Sequence, residues 1–416
     1  MRRRAFLTAA AATVTAAAAY SAVPRLSHAA PAGLASMTRA AKPISVEERR
    51  ARIARVQQLM GERKIGALII ESGSSLEYFT GIQWHRSERT TATVIPARGD
   101  IVTVTPAFEE PSVRETLAVG GEVRPWDEHE NPFARIAGAL QDRGVVSGAI
   151  AFESTTRLFI VDGVKAAAPG LSVVSGDALV KAVRLIKSPA ELALMQTANH
   201  VSLAALRHVH ANVRPGMSPA SIGALMDAAT ISLGGAPEFS LVLINEASAY
   251  PHGSHQAQTL GEGSVILMDV GCTVYGYQSD ISRTWVVGSP TAKQRKVWDT
   301  VKRGQEIALD AARPGAPVGA IDDAVRAYYE TEGWGPGYHL PGLSHRTGHG
   351  IGLDGHEPPY LVHGDATPLA PGMCFSDEPG IYIPGEFGVR LEDCWHMVET
   401  GPKLFTPLAT SIDDPI

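Results

Sequence analysis

An acid in the middle of an apolar strand constrains this chain more than any other feature. Asp269 lies within Val265-Ile266-Leu267-Met268-Asp269-Val270-Gly271, and Asp280 follows 11 residues later, beyond a turn that contains Gly276. The apolar run has the pattern of a buried strand. An unpaired carboxylate in such a place costs several kcal/mol even after the surroundings relax. Any fold for this chain must therefore bring a cation or several N–H donors to Asp269, and two acids on one hairpin favour a metal ion.

Two later segments carry the same kind of signal. His345-Arg346-Thr347-Gly348-His349-Gly350-Ile351-Gly352-Leu353-Asp354-Gly355-His356-Glu357 is dense in glycine and histidine. Imidazole is the commonest metal ligand and exchanges protons near neutrality, and glycine lets the backbone approach a crowded site. Glu378 and Glu392 then stand 14 residues apart around a Pro384-Gly385 turn, with Arg390 and Glu392 on one side of a strand. The ligand set that emerges is Asp269, Asp280, His349, Glu378 and Glu392. Four carboxylates converging without metal repel and raise one another's pKa, whereas two divalent cations neutralise them. One imidazole among oxygen donors suits Mn²⁺, Co²⁺ or Zn²⁺ rather than a thiolate zinc or a copper site, with Mn²⁺ the first expectation.

The 416 residues leave room for two or three domains. A net charge of −6, with no Lys/Arg run beyond the first residues, argues against nucleic acid as a partner. Residues 45–185 have helical spacing at Val46–Arg63 and Asn131–Arg143 and strand patterns at Ala67–Ile70, Ala92–Thr105 and Ala149–Phe152, which makes an α/β unit. Residues 186–416 open on Ser188-Pro189-Ala190-Glu191, a capping box that starts a helix running to about Val213, where Pro215 and Gly216 stop it. Arg214-Pro215-Gly216 followed by Ile222, and Arg313-Pro314-Gly315 followed by Ile321, form a faint repeat offset by 99 residues, suggesting two related half-domains. With strands expected at Val265–Val270, Ile281–Val287, Cys374–Ile383 and Gly388–Val398, this second part is α+β.

The first 30 residues have the pattern of an export signal. Arg2, Arg3 and Arg4 precede the apolar stretch Ala5–Val23, no acid occurs before Glu47, and Ser27-His28-Ala29-Ala30 offers a small-residue cleavage site. Arg3-Arg4-Ala5-Phe6-Leu7 resembles the twin-arginine motif, which implies delivery by the export machinery to the periplasm or beyond. Residues 31–44 are then a linker. Cys272, Cys374 and Cys394 allow at most one disulfide, and three buried thiols are the simpler expectation.

These residues are similar to the M24 metallopeptidase family of methionine aminopeptidase, aminopeptidase P and prolidase, in its proline-specific branch. Tyr78-Phe79-Thr80-Gly81 resembles part of the creatinase-type N-terminal domain, Ile186-Lys187-Ser188 resembles its junction, and the five ligands match in order. The resemblance implies a pita-bread catalytic fold with pseudo-symmetric halves and a homodimer or homotetramer. It implies hydrolysis of the bond preceding proline, in peptides or dipeptides, by a hydroxide bridging two metal ions. Glu378 would accept the proton of that water. His252, in Tyr250-Pro251-His252-Gly253, and His356 would hold the tetrahedral intermediate, with His345 and Arg390 at the substrate. Trp84, next to His85 and Arg86, would reach the substrate from the same or a neighbouring subunit. The alternative on this fold is a metal-dependent hydrolase or lyase of a small nitrogen- or sulfur-containing compound. The creatinase-like branch lacks the complete metal set, so the intact ligands count against it, and they count equally against a non-catalytic scaffold.

The export reading has a direct test: replacing Arg3 and Arg4 by Lys is expected to trap the precursor in the cytoplasm, as followed by cell fractionation, whereas normal export would indicate the general secretory route.

Overall fold

The computed structural model describes residues 33–416, and the export signal expected at residues 1–30 lies outside the described residues. The segment expected as a linker is tied, over its described part, to the C-terminal region: the Met37 N–H donates to the Leu233 carbonyl at 2.8 Å. No described helix is long and apolar enough to cross a membrane.

The N-terminal region is a mixed sheet with helices. Its elements are α1 (Val46–Glu62), β1 (Ile65–Glu71), α2 (Ser74–Thr80), β2 (Ala92–Pro96), β3 (Val102–Pro106), α3 (Glu110–Thr116), β4 (Glu122–Trp126), α4 (Pro132–Asp142), β5 (Gly148–Phe152), α5 (Leu158–Ala167), β6 (Leu171–Ser175) and α6 (Asp177–Arg184). The strands lie in the order β4-β3-β2-β1-β5-β6. β1 is central because Ala67, Leu68, Ile69 and Ile70 are apolar on both faces, as a strand covered on two sides requires. The expected strand over Ala92–Thr105 is instead a hairpin. Arg98-Gly99-Asp100 reverses the chain with Gly99 at φ +91°, and Thr93 pairs with Thr103 across it.

The C-terminal region holds α7 (Pro189–Asn212), α8 (Pro219–Leu233), β7 (Ala236–Ile244), β8 (Val265–Val274), β9 (Tyr277–Gln278), β10 (Ile281–Val286), α9 (Ala292–Ala311), α10 (Gly319–Thr331), β11 (Gly348–Gly350), β12 (Glu357–Leu361), β13 (Cys374–Asp377), β14 (Gly380–Ile383), β15 (Phe387–Arg390), β16 (Asp393–Val398) and β17 (Gly401–Leu404). β10-β8-β7 form one sheet with β9 on β8, β12-β11-β13-β16-β17 form a second, and β14-β15 is a separate hairpin. α7 starts at the capping box: Ser188 Oγ accepts the Glu191 N–H at 3.2 Å and Glu191 Oε2 accepts the Ser188 N–H at 2.8 Å. One hydrophobic core joins the two regions, with Leu76, Phe79 and Ile53 in the same cluster as Leu194, Val201 and Ile266. Cys272, Cys374 and Cys394 are buried free thiols.

The faint repeat is a repeat of structure. The Gly216 N–H donates to the Leu260 carbonyl at 2.7 Å and the Leu260 N–H returns to Met217 at 3.0 Å; in the second half Gly315 donates to Leu369 at 2.8 Å and Leu369 to Ala316 at 2.9 Å. From those leucines onward the offset is 109 residues, and it relates Leu260 to Leu369, Gly263 to Gly372, Asp269 to Glu378 and Gly271 to Gly380. Each half thus delivers an acid at the equivalent position, Asp269 within β8 and Glu378 just after β13.

Two other expected strands are interrupted, both at an acid. Cys374–Ile383 breaks between β13 and β14, and Gly388–Val398 between β15 and β16, with Glu378 and Glu392 in the gaps. Pro379 cannot donate to a ladder. The Glu378 N–H goes to the Thr347 carbonyl at 2.8 Å, and the Glu392 N–H goes to Ser282 at 3.0 Å. The chain leaves one sheet for the other at these points, which frees both acids from the side-to-side alternation of a strand.

Candidate active site

The five expected ligands meet. β8 carries Asp269, the two-residue turn Tyr275-Gly276 reverses the chain with φ of 50° and 81°, and Asp280 stands just ahead of β10. His349 is the middle residue of β11, between two glycines. A Cβ at Gly348 would lie 2.3 Å from the Ser376 carbonyl and one at Gly350 2.4 Å from that of Glu357, so only glycine lets β12 and β13 close on this strand. Donor atoms of Asp269, Asp280 and Glu392 lie within 4.8 Å of one another, as do those of His349, Glu378 and Glu392. Glu392 is common to both triplets.

The donor set fits divalent cations. His349 Nδ1 lies 3.1 Å from the Gly350 carbonyl, so that nitrogen carries the proton. Nε2 then turns a bare lone pair towards Asp280 Oδ2 at 3.6 Å and Glu378 Oε1 at 3.3 Å, an arrangement that repels once those carboxyls are ionised unless a cation lies among them. Asp269 Oδ1, Asp280 Oδ1 and Glu392 Oε1 are buried without a hydrogen-bond partner. Burial first, and then the neighbouring acids, hold Asp280 and Glu392 well above the usual carboxylate range, and burial pushes Glu378 up to about 7.

A buried scaffold holds these donors. Arg390 gives Nη2 to Asp269 Oδ2 at 2.6 Å, Nε to Ser282 Oγ at 2.9 Å, and Nη1 to Tyr382 Oη and the Pro251 carbonyl, both at 3.1 Å. Ser282 Oγ in turn donates to Glu392 Oε2 at 2.7 Å. Arg283 donates to the Glu392 carbonyl at 2.7 Å and forms a fully buried ion pair with Asp393, also at 2.7 Å. Asp322 accepts both the N–H and the hydroxyl of Thr347, at 3.0 and 2.7 Å, which fixes the carbonyl that receives the Glu378 N–H. Ser282, Arg283, Asp322, Tyr382 and Asp393 are not among the residues expected from sequence. Arg283 lacks the mark that Asp269 carries, because Ser282 and Thr284 flank it in Ile281–Val287.

A cavity of about 480 Å³ opens onto the five donors. His252, His345, His356 and Arg390 all line it, with Arg346, Phe239 and Gln278. His345 Nδ1 donates to the Arg346 carbonyl at 2.8 Å, so its Nε2 accepts from Tyr382 Oη at 2.7 Å. Burial, then Arg390, depress His345 to about 3, so it is neutral at physiological pH. His356 lies against His349 with ring centroids 3.8 Å apart, and Arg346 Nη2 is 3.4 Å from its Nδ1. Trp84 is not among the residues lining this cavity. In this chain it packs against the hydrophobic core that joins the two regions, beside His85.

Residues 193–399 match the metallopeptidase family M24 and residues 52–186 the creatinase/prolidase N-terminal domain. The chain is 32% identical over 359 residues to the probable dipeptidase PepE of Mycobacterium tuberculosis, covering 84% of this chain and 92% of that protein. The chain belongs to metallopeptidase family M24. Within that family it is also 30% identical to a Xaa-Pro dipeptidase of Lactobacillus helveticus, over 85% of this chain and 95% of the other. The crystal structure of dipeptidase PepE from Mycobacterium ulcerans superposes with a TM-score of 0.81 at 31% identity, over 88% of this chain and 97% of that one. The M24 catalytic fold and its creatinase-type N-terminal domain are thus those expected from the motifs.

The electrostatics of the metal-free M24 site set its pH dependence. Asp280, Glu378 and Glu392 have folded pKa values above their unfolded ones, so the folded chain keeps protons that the unfolded chain releases. Their contribution to stability is fully present below the unfolded value of 4.5 for Glu and is lost as pH rises through the value of about 7 for Glu378. Calorimetry of chelator-stripped protein should show Tm falling as the pH is raised from about 5 to about 7, and the increase in Tm on adding Mn²⁺ growing over the same range, because the cation replaces those protons. A Mn²⁺ increment independent of pH would contradict this account.

Proposed function

We propose that this enzyme hydrolyses the peptide bond preceding proline, as a Xaa-Pro dipeptidase or aminopeptidase, with two divalent cations, Mn²⁺ first among them, held by Asp269, Asp280, His349, Glu378 and Glu392. The observation that carries this reading is the deprotonated Nε2 of His349 facing the carboxylates of Asp280 and Glu378 at 3.6 and 3.3 Å. The likeness to Xaa-Pro dipeptidases points to the substrate.

When bound, divalent cations lower the pKa of water from 15.7 to about 7 and polarise a carbonyl oxygen. Glu378, on the cavity wall with Oε1 3.3 Å from His349 Nε2, would take a proton from the attacking water and release it to the leaving nitrogen, the role the family resemblance implies. His252 and His356 stand on the cavity wall as donors to the oxygen that gains charge at the scissile carbon. Neutral His345, held between Tyr382 and the Arg346 carbonyl, gives that wall a fixed shape. Phe239, Leu241 and Pro251 offer apolar surface to a proline ring. The Arg346 guanidinium, stacked on Tyr360 at 4.1 Å, brings to the same cavity the charge that the carboxylate of a dipeptide needs. The arginine-led apolar N-terminus supports action outside the cytoplasm, and the family resemblance supports a homodimer or homotetramer, in which Trp84 of a neighbouring copy would approach the substrate.

Purified protein loaded with Mn²⁺ is expected to hydrolyse Gly-Pro or a Xaa-Pro-Xaa tripeptide; hydrolysis of neither at any metal loading would overturn the proposal. Asp280→Ala should lose both metal and turnover, while His252→Ala should keep its metal and lose about 10²–10³ in kcat, and a normal kcat in that variant would remove His252 from the mechanism.

A further inference from the structure

The Tyr78-Phe79-Thr80-Gly81 segment lies away from the donors, yet its tyrosine is the hub of a closed ring of contacts that touches both ligand-bearing segments. Tyr78 is buried, with the Arg52 guanidinium over its ring at 3.9 Å and that of Arg184 at 5.8 Å. Its hydroxyl donates to the Val183 carbonyl at 2.9 Å, and its own carbonyl accepts Arg52 Nη1 at 3.0 Å.

One arm reaches the aspartate hairpin. Arg52 Nη2 donates to Tyr277 Oη at 3.1 Å, and Tyr277 Oη donates to Glu191 Oε1 at 2.8 Å. Tyr277 sits on β9, in the hairpin between Asp269 and Asp280, and is 1% exposed. The other arm reaches the histidine segment. Arg184 Nη2 lies 2.9 Å from Asp354 Oδ2 and 2.8 Å from Glu357 Oε2, and Lys187 Nζ lies 2.5 Å from Glu357 Oε1. Asp354 and Glu357 flank His356, and Glu357 pairs in the sheet with Gly350, next to His349. The ring closes between the arms: the Gln278 N–H donates to the Gly352 carbonyl at 2.9 Å, and the Gly352 N–H to the Asp354 carbonyl at 3.0 Å.

We propose that Arg52 and Arg184 of the N-terminal region, gathered by Tyr78, are positioning residues for the metal centre: Arg52 through Tyr277 sets the Asp269–Asp280 hairpin, and Arg184 through Asp354 and Glu357 sets the segment bearing His349. The inference rests on the metal-site reading above. Its physical basis is that donors which repel one another before the cation arrives need an external frame, and groups outside the ligands that orient them are worth about 10- to 100-fold in metal affinity. The same ring gives the N-terminal region a role in the chemistry without touching substrate.

The test is calorimetric titration of Mn²⁺ into the chelator-stripped full chain. Tyr277→Phe removes only the hydroxyl and leaves Arg52 facing Glu191 at 3.3 Å, so the fold is retained. It should bind Mn²⁺ about tenfold more weakly. Arg184→Gln should weaken binding by a similar factor, and Arg184→Lys should recover part of it. Val164→Ala, in the separate N-terminal core with Ile136 and Phe152, should lower Tm with the Mn²⁺ Kd unchanged. Unaltered Mn²⁺ affinity in both Tyr277→Phe and Arg184→Gln, or an equal loss in Val164→Ala, would overturn the inference. Absence of Mn²⁺ binding by the unaltered chain would overturn the metal reading itself, and this inference with it.

Discussion

Four carboxylates and one imidazole lone pair share a single buried space, and the rest of the catalytic region is arranged to make that tolerable. Like charges in a low-dielectric interior repel strongly, and the raised carboxyl pKa values of Asp280, Glu378 and Glu392 record the cost. Arg390 offsets part of it by direct contact with Asp269. The buried Arg283–Asp393 pair acts differently: it fixes the backbone that presents Glu392. The proposed cations would complete the balance at the oxygens that have no hydrogen-bond partner.

The internal repeat explains how a single chain assembles such a site. Each half brings a helix, a glycine turn, a second helix and an acid followed two residues later by glycine: Asp269 and Gly271 within β8 in one, Glu378 just beyond β13 and Gly380 in the other. The second half differs where it must. Pro379 and the break before β14 turn Glu378 out of the ladder, whereas Asp269 stays within β8 beside Ser282 of β10. The histidine comes from a strand with no counterpart acid, held between glycines so that its neighbours can close on it.

Much of this was legible beforehand, because it rests on residue types that are costly in the wrong place. A carboxylate in an apolar run, histidines among glycines, and a Ser-Pro-x-Glu start each exclude most alternatives, and the convergence of the five donor side chains and the start of α7 follow from them. The hairpin at Ala92–Thr105 and the breaks at Glu378 and Glu392 did not follow, since apolar alternation continues across a turn or a change of sheet without a mark of its own. Arg283 and Asp322 are charged and buried, yet their neighbours in sequence do not show what they hold. Their partners, Asp393 and Thr347, are distant in sequence, and only the partner reveals the role.

By itself the sequence determined the chemistry on offer: which side chains carry oxygen and nitrogen donors and that they must be buried, while the relation between the two halves was only suggested by a faint repeat. Composition and spacing suffice for that, because desolvation acts on a residue whatever the fold around it. The tertiary structure decided which nitrogen of His349 faces the carboxylates, that Arg390 spends its donors inside the protein, that Trp84 lies away from the cavity in its own chain, and that Arg52 and Arg184 frame both ligand segments. Those are facts of direction and distance between residues up to hundreds of positions apart, and only the packing of sheets and helices against one another sets them.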